Sequence, residues 1–349
     1  MSIYINGIGS ISTQDLTERS EENKYIKINL VRNLCIEPAY KTMLPPIQLR
    51  RMSKVVKMGV HCAIAALKDA GIEKPDIITT GTAYGCLADT ENFLQKMIVH
   101  QETMLTPTAF IQSTHNTVSG QIALITTCHG HNFTYVQKGH SFECSLQESM
   151  MWLNENPALQ ILTGGIDEMT NHSFEIIERF GTYKKEGEHI DNKSEGTIAG
   201  EGANVFILHG QKNEHSCCEL IDLKLCKQEN IEAQLLNFLE KNNIDILEID
   251  TCLIGTNGDT RYDETLWNNL QKLTETNFIE FKKYCGEYPT STAFAVSMAC
   301  NIFNNKNVYS ELISKRNNEL KTPKNILIYN HYKNNYHSFI LLKSLECTE

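Results

Sequence analysis

The chain has no apolar run near the roughly 20 residues needed to span a bilayer, so its 349 residues predict no membrane helix. The opening MSIYINGIGSIS also lacks the basic segment and long apolar stretch of a secretory leader. Those residues read instead as the first strand of the fold, and the expected location is the cytoplasm. Positive charge is scarce: 32 Lys and Arg stand against 42 Asp and Glu, a net charge of −10 that argues against nucleic-acid binding as the main role. Twelve cysteines are present, from Cys35 to Cys347, but no two form a CxxC pair and none joins a Cys/His group at zinc spacing. Most lie in apolar periodic stretches (HCAIAAL, TCLIG, MACNIF), where a free thiol behaves as a small hydrophobe. No metal and no cofactor is expected, and no disulfide, because the cytosol keeps thiols reduced.

What is present is an alternation. With 41% hydrophobic and 21% charged residues the chain can build an ordinary soluble core, and its length suggests about two domains. Strand-length apolar runs alternate with longer segments of helical period, the pattern of βαβ units and a largely parallel sheet. SIYINGIGSI, DIITTGTAYG, FTYV, ALQILTGG and GEGANVFILHG read as strands, the fourth ending in a glycine pair. MSKVVKMGVHCAIAALKDAG and ECSLQESMMWLNE read as helices, the first stopping at Gly71. The first half closes near residue 210. The second half, 211–349, repeats the logic: a helix over 230–243, strand TCLIGTNG, helix DETLWNNLQKL, strand NFIEF, helix STAFAVSMACNIF and the hairpin NILIYN…HSFILLK. The polar stretch 183–197 reads as a surface loop.

Four local patterns carry a family resemblance. They are PPIQLRRMSKVVKMGVHCAIAALKDAG (Pro45–Gly71), ILTGGIDE (Ile161–Glu168), GTIAGEGANVFIL (Gly196–Leu208) and KKYCGEYPTSTAFA (Lys282–Ala295). In this order they resemble the β-ketoacyl synthases of the thiolase-like superfamily. The resemblance implies an α/β fold in which two duplicated βαβ halves, 1–210 and 211–349, make a layered α-β-α-β-α arrangement. Gly164, Gly165, Gly200 and Gly202 read as turn residues in these signatures.

The resembled enzymes carry the acyl group on a Cys at a strand-to-helix elbow, where the helix N-terminus favours thiolate and backbone N–H groups hold an oxyanion. Two His on separate loops stabilise charge as carbon dioxide leaves. Here the elbow falls in QKGHSFECS. Ungapped counting puts Gly139 at the Cys position, and a two-residue shift puts Gln137 there. Asn257, in IGTNGDTRYDE, stands at the first His position, and Glu287, after Gly286, at the second. Asn donates a hydrogen bond but does not titrate near neutrality, and an ionised Glu only accepts. Lys282 matches the family lysine, and its retention fits a structural or charge-pairing role with Glu287. The family's late glycine-rich gating loop is absent, because Asn330 is followed by HYKNNYHS.

No intact catalytic set is therefore expected, and the resemblance implies a chain-length-factor-type subunit. Such a chain pairs as a heterodimer with an active ketosynthase in type II fatty-acid or polyketide systems, including aryl-polyene and flexirubin-type pathways. The alternative is an acyltransferase or condensing enzyme with a rearranged site, Ser141 or Cys144 acting as nucleophile with His140 as base; a third reading is a homodimeric acyl-binding scaffold. His115, His331 and His337 are further histidines near turns. An acidic acyl carrier protein could dock on Arg50, Arg51, Lys54 and Lys57, which otherwise form a solvated helix face.

Overall fold

Apolar residues at three- and four-residue steps bury one stripe of Lys54–Asp69 (α1): Val55, Val56, Met58, Val60, Cys62, Ala63, Ala66 and Leu67. The computed structural model describes residues 2–15, 24–103, 105–185, 187, 194–227, 229–319 and 321–345. Cys347 and the middle of the 183–197 stretch lie outside the described residues. After α1 the main helices are Leu87–Val99 (α2), Thr117–Thr126 (α3), Ser141–Glu155 (α4), Asn171–Arg179 (α5), Ile231–Lys241 (α6), Asp263–Asn268 (α7) and Ser291–Asn304 (α8). No helix among the described residues is long and apolar enough to cross a membrane.

Ten strands form one sheet: Ile3–Ile11 (β1), Ile77–Gly81 (β2), Asn132–Tyr135 (β3), Ile161–Asp167 (β4), Gly202–His209 (β5), Cys218–Cys226 (β6), Thr251–Ile254 (β7), Asn277–Glu280 (β8), Asn325–Tyr332 (β9) and Tyr336–Ser344 (β10). Their order is β3-β2-β4-β5-β1-β6-β10-β9-β7-β8. Read outward from the centre, each half repeats the other. β1 corresponds to β6, β5 to β10, β4 to β9, β2 to β7 and β3 to β8. The pairing senses match too, parallel for the outer three strands of each half and antiparallel inward. Within the sheet the halves join where β1 meets β6, over Ile3↔Leu220, Tyr4↔Glu219 and Ile5↔Cys218.

Each layer has its own core. α1 and α3 cover the first half through Val55, Val60, Val118 and Ile122. α6 and α7 cover the second through Leu235, Phe238 and Leu266. Between the halves lie α4 and α8, which share one buried cluster with strands of both, including Phe142, Leu146, Phe294, Met298, Leu208 and Ile328. Nearly every described residue of α8 is buried, its few polar ones such as Thr292 included, so the helix presents almost no face to solvent. This is the layered, thiolase-like arrangement that the sequence resemblance implies.

Three readings change. Gly164 and Gly165 do not form a turn; they lie within β4, whose seven residues are all buried. The second-half helix from Asp263 is regular only to Asn268. The ends of the 183–197 stretch are not surface: Tyr183, Lys184 and Thr197 are buried.

Candidate functional site

Two strand-to-helix elbows lead into α4 and α8, the helices between the halves. By the strand correspondence, the turn after β3 that leads into α4 is equivalent to the turn after β8 that leads into α8. The second elbow holds Lys282 and Glu287; the first holds Gln137, Lys138 and Gly139.

At the second elbow the three sequence-aligned positions converge. Glu287 Oε2 accepts from Lys282 Nζ at 2.8 Å and from Asn257 Nδ2 at 2.7 Å. The Lys282 and Glu287 side chains are 1% and 2% exposed, so this ion pair is fully buried. Lys282 also donates to the His331 carbonyl at 2.7 Å. Asn257 is held in turn, since Asp263 accepts from the backbone N–H of Asn257 and of Gly258 at 3.0 and 2.9 Å. Burial pushes the Asp263 carboxyl up to about 6. Glu287 Oε1 is buried with no partner among the described residues. The expected Lys282–Glu287 pair is thus present, and it leaves the glutamate's charge neutralised before any ligand arrives.

Gly200 explains how the signature loop reaches this site. A Cβ there would lie 2.0 Å from the Cys285 carbonyl oxygen. Without one, Gly200 N–H donates to the Glu287 carbonyl at 3.1 Å, while Glu287 N–H donates to Ile198 O at 2.7 Å. Close backbone approach, not a turn, is what the glycine permits.

The first elbow contains no thiol. Lys138 adopts φ +53° there, a left-handed backbone unusual for a residue with a side chain. Gln137 and Lys138 are exposed, whereas Gly139 is buried. A Cβ on Gly139 would stand 2.3 Å from Cβ of Tyr332. Tyr332, at the end of β9, bonds through its hydroxyl to that of Tyr84 at 2.9 Å.

The alternative nucleophiles are not assembled with a base. The Ser141 hydroxyl accepts from Gln137 N–H at 2.9 Å and donates to Lys138 O at 2.8 Å, so it braces the elbow from a fully buried position. His140 Nε2 is bound to the His337 carbonyl at 3.0 Å and not to Ser141. Burial, with Glu143 adding to it, pushes the Cys144 thiol up to about 11, far from thiolate at neutral pH. Glu143 itself is buried between Thr292 and Ser338, whose hydroxyls donate to Oε1 at 2.6 and 2.9 Å. Burial raises its carboxyl to about 7.

The remaining histidines separate. His115 is exposed. His331 and His337 are not turn residues: they face each other across β9 and β10, both fully buried. Burial depresses both, His337 to about 4, and each has an Nε2 with no partner among the described residues. Of the basic stretch, Lys54 is not free, because it pairs with the buried Glu201 carboxylate; Arg50 and Arg51 are exposed. Sequence reasoning missed Tyr84 and Tyr332. The one available signal was the bulky HYKNN in place of a glycine-rich loop.

Residues 32–181 match the sequence family described as Beta-ketoacyl synthase, N-terminal domain. No curated protein matches the chain by sequence. Among solved structures, it is similar to the ishigamide ketosynthase/chain length factor at 14% identity, with 99% of each chain covered and a TM-score of 0.77. A beta-ketoacyl synthase from Burkholderia phymatum STM815 gives 13%, 99% of this chain and 100% of that one, and 0.77. A ketosynthase in complex with its chain length factor from Xenorhabdus doucetiae gives 12%, 98% of each, and 0.75. Residues 32–181 thus carry the match to that N-terminal domain, and over its whole length the chain has the thiolase-like fold of these ketosynthase structures.

Proposed function

We propose that this chain is a non-condensing, chain-length-factor-type subunit that pairs with an active β-ketoacyl-ACP synthase in a cytoplasmic type II fatty-acid or polyketide system. An aryl-polyene or flexirubin-type pathway is the finer reading. One observation carries it: where the resembled enzymes converge a thiol and two imidazoles, this chain converges Asn257, Lys282 and Glu287 in a closed, buried ion-pair network. None of these is a nucleophile with a base, and Lys282 and Asn257, the glutamate's side-chain donors among the described residues, are already engaged with it. A decarboxylating condensation has nowhere to put its acyl group or its developing charge.

Pairing is supported by the edge of the sheet. β3 is the outermost strand of the first half, and Phe133, Val136, Leu124 and Met151 around it are exposed large hydrophobics. An unpaired, apolar-flanked edge invites another chain. The similar solved structures include ketosynthase and chain length factor complexes, which fits a partner of that kind. We read 1–210 and 211–349 as the two duplicated halves, and the exposed Arg50 and Arg51, with the half-buried Lys57 beside them, as the residues that would meet an acyl carrier protein.

Co-expression with a Cys-bearing ketosynthase tests the reading. The expected result is a stable co-purifying pair whose condensation activity depends on this chain but not on its Ser141 or Cys144. A covalent acyl adduct on this chain by intact-mass spectrometry, lost in Ser141→Ala or Cys144→Ala, would overturn it in favour of the rearranged enzyme.

A further inference from the structure

We infer that residues 313–318 guard the outer edge of β8, so that this chain associates through its β3 edge alone and stops at a pair. The two outermost strands are equivalent in the repeated halves, yet their edges differ. At β3 the carbonyls of His131 and Tyr135 accept from the N–H groups of Ile78 and Thr82, on the β2 side. Backbone groups alternate in direction along a strand, so those of Asn132 and Thr134 point outward. β3 ends the sheet, and no strand or isolated bridge among the described residues pairs with its outer side. Phe133, Val136, Leu124 and Met151 give this edge an apolar border.

At β8 the outward groups are taken. Asn277 N–H turns inward to Asp250 O at 2.9 Å, so Phe278 turns outward. There Phe278 N–H donates to Lys315 O at 2.9 Å, and its carbonyl accepts from the N–H groups of Ser314 and Lys315 at 2.8 and 3.3 Å, an antiparallel bridge outside the ten strands. The Ser314 hydroxyl donates to the same carbonyl at 2.9 Å. Asn277 Oδ1 holds the far end of the segment, accepting from the N–H groups of Asn317 and Asn318 at 2.9 and 3.0 Å. The Lys315 ammonium lies over the Trp267 and Phe278 rings, 5.6 and 5.5 Å from their centroids, and sets a positive charge on the edge. The short helix Lys306–Leu312 delivers the segment, anchored by the buried Tyr309 and Leu312. Among the described residues, Leu247 is the one exposed large hydrophobic of the second half, so no apolar border surrounds this edge.

The consequence is a limit on assembly. A sheet open at both ends can add copies head to tail without closing, whereas one open at a single end is complete once that end is paired. A covering loop and an edge lysine are two ways of preventing such growth, and both are present at β8. The guard lies at the end of the sheet opposite the proposed pairing edge, and it acts in the same way whichever chain is the partner.

The test uses the full-length chain. In the parent, residue-resolved hydrogen exchange is expected to show the Phe278 amide at least about 100-fold slower than an unstructured amide, and light scattering is expected to show no species above two chains. Ser314→Pro with Lys315→Pro removes both N–H groups that bond to the Phe278 carbonyl. This double variant is expected to speed Phe278 exchange about 100-fold and to raise the mass, reversibly on dilution, to about twice the parental value or more. Should it not fold, or should Phe278 stay protected, replacement of 314–318 by Gly-Ser-Gly-Ser-Gly serves for both measurements. Three results would overturn the guard: a parent that exchanges Phe278 like an unstructured peptide or grows beyond two chains, protection of Phe278 that survives the Gly-Ser replacement, or a folded variant whose opened edge leaves the mass at the parental value. None of these touches the pairing reading, which co-purification tests at the other edge.

Discussion

Replacing Lys282 by Met is the sharpest probe of the buried network. At 2.8 Å the Lys282–Glu287 pair has a direct attraction of about 6 kcal/mol at an effective dielectric of ~20. Much of that is offset by removing both charges from water. The single change leaves Glu287 with Asn257 as its one remaining side-chain donor among the described residues, and an uncompensated buried charge costs about 3–5 kcal/mol. Glu287→Met alone strands the lysine, which keeps only the His331 carbonyl. The double variant removes both charges at similar volume and is expected within about 1 kcal/mol of the parent, or more stable. Urea unfolding of all four proteins yields the coupling energy, expected at about 3 kcal/mol or more. A coupling below about 1 kcal/mol would mean that the pair behaves like a solvated surface bridge, and the account of the site as closed and pre-neutralised would fail.

Four further outcomes follow from the same geometry. Burial raises Glu143 from 4.5 to about 7 in the folded chain, so its contribution is full below pH ~4.5 and is lost as pH rises through 7. That amounts to something on the order of 3 kcal/mol, and Glu143→Gln is expected to flatten the fall in urea midpoint between pH 5 and pH 8. His337 runs the other way: its folded value of about 4 gives stability present above pH 6.5 and lost as pH falls, which His337→Gln is expected to remove. Cys144, raised to about 11, is expected to react with iodoacetamide at pH 7.5 roughly 100-fold more slowly than free cysteine, read by peptide mass mapping. Gly200→Ala drives a Cβ into the Cys285 carbonyl and is expected to cost several kcal/mol or the soluble protein itself, read by denaturation or yield.

The fold was legible where periodicity was strong. The α1 stripe, the strands at Ile161 and Asn325, and the closing hairpin all appear where their apolar spacing places them. α2 was not read, because Leu94, Ile98 and Val99 are exposed and none of its residues is buried, so no inward stripe marks it. β6 alternates only imperfectly. The triad Asn257, Lys282 and Glu287 could be aligned from local motifs, since each sits beside a glycine or acidic signature. The tyrosine bridge could not, because Tyr84 and Tyr332 are 248 residues apart, and nothing local marks either as other than core. The histidines misled for the opposite reason. Their neighbours KNN read as a turn, yet pairing in β9 and β10 carries both rings inside.

The central position of β1 has a consequence for how the chain is made. This strand emerges from the ribosome long before its antiparallel neighbours, which begin at Gly202 and Cys218. At ~5–20 residues per second, roughly 10–40 s pass before either exists. Throughout that interval an apolar strand waits with both edges open. The nascent protein therefore depends on α1, which emerges next and shares the β1 face, or on a chaperone, to shelter it until the sheet can close around it.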